Sequence, residues 1–283
     1  MSSERLSALT DPSLERVVYV VRHGERIDQI DPSWVNTAPE PHDPPLTKLG
    51  VAQAQRTGEY IAEDRQRNGY NTALTVLSSP FYRTLQTAEG IIHGVTKQSG
   101  LAERPALYLY PPLSEWLAID YFPEPLPHDS FTHSNRIGQF PFLKPPKVDF
   151  PSPLPPYPES RIEMRQRFLH SFLHAIENYS SPSTHLILVS HGAGCQAIPQ
   201  QLAAAQIVRP FELRIPETPY CCVTKLVKKP NETEWCLEVC AGTQHLTDLL
   251  ERTGTEFVVG GPTPVGGGAG PSDGQNVRWR AHG

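Results

Sequence analysis

Long apolar runs, clusters of basic residues and an N-terminal leader pattern are all missing from this chain. No stretch approaches the ~20 apolar residues that a membrane-spanning helix needs, and the first residues lack the charged start and apolar core of a signal peptide. The 25 Lys and Arg are outnumbered by 30 Asp and Glu, for a formal net charge of −5. We therefore expect a cytoplasmic or nuclear protein with no membrane partner and no direct nucleic-acid binding.

Cysteine is scarce as well. The chain has 5 cysteines, an odd number, and their spacing fits neither a disulfide framework nor a zinc site. We expect no metal and no cofactor. Proline is abundant, with 30 residues beside 20 Gly, which predicts long loops around a compact centre.

The composition divides the chain into three parts. Residues 1–15 are polar and predict a flexible N-terminal segment, and residues 253–283 are a Gly/Pro-rich tail that we expect to be disordered. One folded domain is predicted over 16–252. Residues 120–158 hold many prolines and several aromatics, so we expect a long Pro-rich insertion that packs over this domain.

Short β-branched runs alternate with helical patterns along the domain. This alternation predicts an α/β fold with a mostly parallel central sheet, flanked by helices on both faces. Two further strands are expected near the end of the domain, with a turn at Pro230 and Asn231 between them. The predicted strands are 17–21, 73–77, 106–109, 185–189, 221–227 and 234–239, and the predicted helices are 47–60, 81–94, 160–179 and 193–202.

Two of the predicted strands end in the same way. The first runs into Arg22, His23 and Gly24, and the strand at 185–189 runs into Ser190, His191 and Gly192. Ligands bind beyond the carboxyl ends of parallel strands, so neighbouring strands would bring both imidazoles to one pocket. A single histidine at a strand end is more often structural, but two are harder to explain in that way.

Arginines accompany these histidines. Arg22 and Arg26 flank His23, and Arg83 opens the helix that follows the second strand. Guanidinium groups bind phosphate oxygens in a bidentate manner and remain charged at working pH. The alternative is that they form surface salt bridges, for which Glu25 and Asp28 are near in sequence.

Together these motifs resemble the histidine phosphatase superfamily, which has the phosphoglycerate-mutase-like fold. The resemblance rests on residues 22–26, residues 79–88, Glu115 and residues 190–192, in this order, and it covers about 16–245. The domain at 16–252 is accordingly identified as a histidine phosphatase domain.

Within the superfamily the chain is most similar to the phosphatase domain of the suppressor of T-cell receptor signalling proteins. The motifs that carry this finer resemblance are 22–29, 43–46, 115–116, 159–160 and 187–192. At 283 residues, we expect the chain to lack the ubiquitin-associated and SH3 modules of those proteins. The resemblance therefore bears on the chemistry rather than on their signalling role.

The resemblance implies a metal-independent phosphomonoester hydrolase that works through a phosphohistidine intermediate. His23 would be the nucleophile, and Glu115 would be the general acid and then the general base. The nearby arginines should lower the pKa of His23, because like charge disfavours the imidazolium. The remaining catalytic residue, His191, would also bind the phosphoryl oxygens, together with Arg22, Arg26 and Arg83.

The substrate and the biological setting stay open at this point. The substrate would be a phosphorylated small molecule or phosphoprotein, with phosphotyrosine-like groups among the candidates. Alternatives are a phosphoglycerate mutase and a scaffold subunit, with protein partners, of a larger complex such as an RNA polymerase III transcription factor. The segment after the Arg-His-Gly motif is long and Pro-rich, which disfavours the mutase.

Overall fold

A mixed, mostly parallel seven-stranded sheet forms the centre of the protein. The computed structural model describes residues 15–99, 104–181, 183–209 and 217–249. The predicted tail at 253–283, and the predicted N-terminal segment apart from Glu15, lie outside these residues. The strands are β1 (Arg16–Arg22), β2 (Ala73–Ser78), β3 (Ala106–Leu109), β4 (Leu143–Lys144), β5 (Thr184–Ser190), β6 (Val223–Lys228) and β7 (Cys236–Gly242).

The strand order is β4-β3-β2-β5-β1-β6-β7. The first five strands in this order are parallel, whereas β6 runs antiparallel to β1 and β7 runs antiparallel to β6. β1 lies beside β5 with Val21 opposite Val189 and Arg22 opposite Ser190. The residues after both strands therefore emerge side by side at the carboxyl edge of the sheet.

The helices begin where the sequence offers caps. Thr47 accepts a hydrogen bond from the Gly50 N–H at 2.9 Å, and Ser160 and Glu163 form a capping box. Among the described residues the α-helices are α1 (Ile27–Ile30), α2 (Lys48–Arg67), α3 (Tyr82–Ser99), α4 (His133–Gln139), α5 (Arg161–Tyr179) and α6 (Gly192–Ala204). No helix in this part of the chain is both long and apolar enough to cross a bilayer.

Each face of the sheet packs against one pair of these helices. Val17, Tyr19 and Val21 of β1 face α2 and α3, while Val18 and Val20 face α5 and α6. Alternate residues of a strand point to opposite faces, so both faces of β1 are buried. This arrangement confirms the predicted α/β fold.

Helices α2 and α3 approach each other so closely that their backbones touch. A Cβ atom on Gly58 would lie 2.1 Å from the carbonyl oxygen of Ile91, and one on Gly94 would lie 2.1 Å from that of Gln55. Glycine is the residue that permits such contact. We refer to Gly58, Gly90 and Gly94 as the glycine seam.

The Pro-rich insertion has a small apolar core of its own. Phe122, Leu126 and Phe131 pack there with Phe81, at the start of the segment that leads into α3. The insertion contains α4 and β4, neither of which the sequence predicted. It therefore packs over the domain, as expected, and extends the sheet by one strand.

Three element details differ from the sequence predictions. The helical spacing of Ile162 with Phe168 and Phe172 predicts that it shares their apolar face, but Ile162 is 69% exposed because it lies in the first turn of α5. Strand β6 begins at Val223 rather than at residue 221, since Cys221 adopts a positive φ of 52° and belongs to a turn. Strand β7 begins at Cys236, two residues later than predicted.

Candidate active site

The carboxyl edge of the sheet brings the predicted site residues together. The His23 and His191 rings lie 5.4 Å apart, centroid to centroid, at an interplanar angle of 65°. Arg83 lies in the first full turn of α3, and Glu115 follows the 3₁₀-helix Pro111–Leu113 after β3. Arg22 and Arg26 come from the end of β1 and the loop beyond it. The catalytic roles of these side chains remain predictions.

The His23 ring is held in one tautomer. Its Nδ1 atom lies 2.8 Å from the carbonyl oxygen of Gly24, so Nδ1 carries the proton and Nε2 carries the lone pair. Burial lowers the pKa of His23 well below its ordinary value, and Arg83 and Arg22 lower it further. The imidazole is therefore neutral at physiological pH, which is the state a nucleophile requires.

The loop that carries His23 is fixed by hydrogen bonds on both sides. The His23 N–H donates to the carbonyl oxygen of Ser190 at 3.0 Å, and the Gly24 N–H donates to Oγ1 of Thr87 on α3 at 3.0 Å. A Cβ on Gly24 would lie 2.5 Å from the carbonyl oxygen of Gly50. The glycine after the histidine is thus required by the close approach of α2.

The three arginines are buried but differ in their contacts. Arg26 forms an ion pair with Asp28, and Arg22 Nη1 donates to the carbonyl oxygen of Thr218 at 2.5 Å. Arg83 lies 3.6 Å from Asp43 and 3.5 Å from Glu115. The proposed alternative of surface salt bridges is therefore wrong for their location, since all three side chains are buried.

Arg83 has unused hydrogen-bonding capacity. Its Nε and Nη1 atoms are buried and have no hydrogen-bond partner among the described residues. Burial, with the nearby charge of Arg26, lowers the pKa of Arg83 to about 10, so the guanidinium stays charged near neutral pH. A buried donor without an acceptor is costly, and the Asp43 Oδ1 atom with which Nη1 forms an ion pair lies at 3.6 Å, beyond hydrogen-bond distance.

His191 is engaged at both ring nitrogens. Nε2 lies 2.8 Å from Oγ of Ser79, and Nδ1 lies 3.3 Å from Oε2 of Glu115 and 3.2 Å from Nη2 of Arg83. Burial lowers the pKa of His191 to about 4, with Arg83 adding to this effect and Glu115 opposing it. A neutral His191 donates to a phosphoryl oxygen only if it exchanges one of these contacts.

Glu115 is the acidic group beside this pair. Burial acts to raise its pKa, but His191 and Arg83 lower it well below the usual range. The carboxylate is consequently ionised at neutral pH in the ligand-free site. A bound phosphate dianion would act in the opposite direction, because like charge raises the pKa of a carboxyl group.

One set of potential metal ligands occurs in the same place. Ligand atoms of His23, Glu115 and His191 all lie within 4.8 Å of one another. The surrounding guanidinium groups of Arg22, Arg26 and Arg83 disfavour a cation on simple Coulomb grounds. Metal independence of the site stays a prediction.

Sequence analysis missed three residues that shape the site. Asp43 is buried and accepts two hydrogen bonds from the Tyr82 N–H at the start of α3. It also pairs with Arg136 of α4, 93 positions away. No local pattern could reveal that pair. Tyr220, beside His23, could have been found only by predicting that β6 runs antiparallel to β1.

Comparisons with known proteins agree with this geometry. Residues 18–106 match the model of the histidine phosphatase superfamily, branch 1. The chain is 28% identical over 138 residues to an ecdysteroid-phosphate phosphatase of Drosophila melanogaster, which is 40% of this chain but only 17% of that protein. The named relative is thus not one of the suppressor of T-cell receptor signalling proteins.

Two solved structures share the fold. The ecdysone phosphate phosphatase of Bombix mori, in complex with tungstate, has a TM-score of 0.55 at 20% identity, over 81% of this chain and 93% of that one. A phosphoglycerate mutase of Bacillus anthracis has a TM-score of 0.50 at 17% identity, over 84% and 97%. The phosphoglycerate-mutase-like architecture is confirmed.

Proposed function

We propose that this chain, which matches the histidine phosphatase superfamily model over residues 18–106, is a phosphomonoester hydrolase that acts through a phosphohistidine at His23. The observation that carries this proposal is a neutral, buried imidazole whose Nε2 lone pair lies in a pocket of three arginines. One of these, Arg83, has two donors that no described residue satisfies. Such a pocket fits a tetrahedral dianion.

The reaction follows from these positions. Nε2 of His23 attacks phosphorus as the bond to the leaving-group oxygen breaks. That oxygen takes the proton that Glu115 acquires from solvent when the bound substrate dianion raises its pKa. Water then attacks the phosphohistidine, Glu115 accepts its proton, and inorganic phosphate leaves. The arginines neutralise the charge on the phosphoryl oxygens, which is the main requirement of phosphoryl transfer. No step requires a metal ion.

The state of Glu115 bears on the leaving group. A carboxylate whose pKa is held low is a weak proton donor until the substrate dianion raises that pKa. Leaving groups that need little protonation are therefore favoured. Phenols, with a pKa of about 10, meet this condition better than alkyl alcohols do.

The surroundings of Glu115 are consistent with an aromatic substrate. Trp116 follows it, and the Trp116 and Tyr121 rings lie 5.6 Å apart at 84°. We therefore extend the proposal to phosphotyrosine-like substrates, in line with the resemblance to the suppressor of T-cell receptor signalling proteins. Steroid phosphates, suggested by the name of the Drosophila relative, are the principal competing class.

The activity can be tested with a panel of phosphomonoesters in the presence of a chelator. We expect turnover with EDTA present, and its loss in His23→Ala but not in His170→Ala, which changes an exposed histidine on α5. Rapid quenching with labelled substrate should trap an acid-labile phosphoryl group in the wild type and in His170→Ala alone. Turnover that persists in His23→Ala would refute the nucleophile.

The leaving-group proposal has its own test. Glu115→Gln should reduce kcat/KM for an alkyl phosphate at least 10-fold more than for p-nitrophenyl phosphate, because the latter needs little acid assistance. Equal losses on both substrates would contradict the assignment of Glu115 as general acid. A chain that hydrolyses nothing in the panel and purifies within a stoichiometric complex would instead be the predicted scaffold subunit.

A further inference from the structure

Tyr220 belongs to the turn that precedes β6, and this turn is attached to the catalytic end of β1. The Cys221 N–H donates to the carbonyl oxygen of His23 at 3.2 Å, and the Arg22 N–H donates to that of Cys222 at 3.3 Å. Both hydrogen bonds involve the two residues that follow Tyr220, and the Cys222 N–H donates to the carbonyl oxygen of Pro219 at 3.1 Å, across Tyr220. These backbone contacts fix the position of Tyr220 relative to His23.

The Tyr220 ring lies directly against the phosphate pocket. It is 5.6 Å from the His23 ring, centroid to centroid, and the Arg22 guanidinium carbon lies 4.5 Å from its centroid. The residue is 4% exposed. Burial raises the pKa of Tyr220, so the side chain is a neutral phenol that can donate one hydrogen bond.

The hydroxyl group of Tyr220 has no hydrogen-bond partner among the described residues. A buried hydroxyl left unsatisfied costs free energy that a phenylalanine would avoid. The other buried groups beside His23 that lack acceptors, on Arg83, are donors as well. An anion in the pocket would supply oxygen acceptors for both residues.

We infer that Tyr220 contacts the substrate, its hydroxyl donating a hydrogen bond to an oxygen of the phosphoryl group that His23 receives. This inference rests on the proposed function. The contact would act on the phosphate ester, on the phosphohistidine and on the inorganic phosphate that is released. It adds a neutral donor to a set that otherwise consists of charged groups and histidine.

Tyr220→Phe tests the inference through two measurements that should move in opposite directions. Without ligand, the melting temperature should stay the same or rise, because the lost hydroxyl had no partner. The kcat/KM for p-nitrophenyl phosphate should fall about 10- to 100-fold, as expected for a hydrogen bond to a charged group. A lower melting temperature, or a kcat/KM within twofold of wild type, would overturn the inference.

Tyr110→Phe is the matched control. Tyr110 is equally buried, but its hydroxyl donates to the carbonyl oxygen of Ser171 at 2.9 Å, away from the pocket. This variant should melt at a lower temperature and keep its kcat/KM. Tyr220→Phe and Tyr110→Phe each remove one hydroxyl oxygen, so comparing them distinguishes a hydroxyl that stabilises the fold from one that binds a ligand.

Inorganic phosphate separates this inference from the proposed function. Saturating phosphate should raise the melting temperature of the wild type, and the rise should be clearly smaller in Tyr220→Phe. If the wild type binds phosphate in this way but hydrolyses no ester, the proposed function fails while the inference stands. An equal rise in both proteins would refute the inference alone.

Discussion

Two buried charge clusters lie on the same sheet, one near its amino edge and one at its carboxyl edge. The amino-edge cluster comprises Tyr19, Asp64, Arg65, His185 and Lys225. Its groups satisfy one another: Lys225 Nζ lies 2.8 Å from Asp64 and 2.9 Å from Glu238, and the Tyr19 hydroxyl donates to Asp64 at 2.7 Å. Arg65 Nη1 lies 3.2 Å from His185 Nδ1.

The carboxyl-edge cluster is the candidate active site, and its groups do not all satisfy one another's hydrogen bonds. Two nitrogens of Arg83 and the hydroxyl of Tyr220 have no hydrogen-bond partner in the described part of the chain. Both clusters are equally inaccessible to water, so burial does not distinguish them. The unsatisfied donors distinguish the two clusters, because they indicate that the carboxyl-edge cluster binds another molecule.

The largest effect should come from removing the partly unsatisfied cation. Arg83→Met should reduce kcat/KM about 10³-fold, as for the loss of a group that stabilises transition-state charge. The melting temperature should change by only a few degrees, because two of the guanidinium nitrogens have no hydrogen-bond partner, Asp43 keeps its pair with Arg136, and Glu115 can take up a proton. Steady-state kinetics and thermal denaturation would check both parts. A large loss of stability would contradict the claim that the two clusters differ, because Arg83 would then stabilise the fold as Lys225 does.

The opposite result is expected at the amino edge. Lys225→Met leaves Asp64 buried without its cation, which should cost about 3 to 5 kcal/mol. This corresponds to a drop of roughly 10 °C in melting temperature for a domain of this size. The kcat/KM of the folded variant should remain within twofold of wild type. A selective loss of turnover would show that the amino-edge cluster also serves catalysis.

Acid should destabilise the amino-edge cluster through His185. Burial, with Arg65 and Lys225, lowers the pKa of His185 to about 4. Since the unfolded chain titrates near 6.5, the stability from this neutral imidazole is complete above pH 6.5 and is lost as the pH falls toward 4. The loss should reach about 3 kcal/mol.

Urea denaturation at pH 7.5 and pH 4.5 measures this contribution. His185→Asn removes the titrating group, so its free energy of unfolding should depend less on pH than that of the wild type. The two proteins are compared by the difference in their free energy of unfolding between the two pH values. Any pH-independent effect of the substitution on stability therefore cancels. Parallel pH profiles for the two proteins would contradict the expected role of His185.

The smallest effect concerns the orientation of the His191 imidazole. Ser79→Ala removes the hydroxyl 2.8 Å from His191 Nε2 and should lower kcat/KM about 10-fold, typical of one hydrogen bond. Ser78→Ala is the matched control, because its buried hydroxyl donates only to the carbonyl oxygen of Ser79. The pH profile of kcat should also shift in Ser79→Ala alone. Identical kinetics in both variants would remove Ser79 from the site.

The sequence predicted the parts of this structure that depend on local pattern. The continuous apolar runs of β1 and β5 indicate buried parallel strands, and residues that follow such strands must meet at one edge. This is why His23 and His191 could be placed in one pocket before the structure was known. Thr47 could likewise be predicted as a helix cap from its position before an amphipathic segment.

The remaining features depend on contacts between distant positions. The pairing of Asp43 with Arg136 joins the first long loop to the insertion, and no periodicity reports such a contact. The same holds for β4, a strand of two residues that exists only because it pairs with β3. Tyr220 was missed as a site residue because it lies in no motif, and only the position of its ring 5.6 Å from that of His23 places it beside the site.

Substitutions in the glycine seam are expected to disturb the candidate active site from a distance. Arg83 and Thr87 lie in the N-terminal turns of α3, whereas Gly90 and Gly94 allow the rest of that helix to contact α2. A methyl group at either glycine would force α2 and α3 apart. Because α3 is rigid, the displacement would also move the Arg83 guanidinium. Alanine variants at Gly90 and Gly94 would then lose activity as site variants do, although these glycines lie one to three helical turns from Arg83 and Thr87.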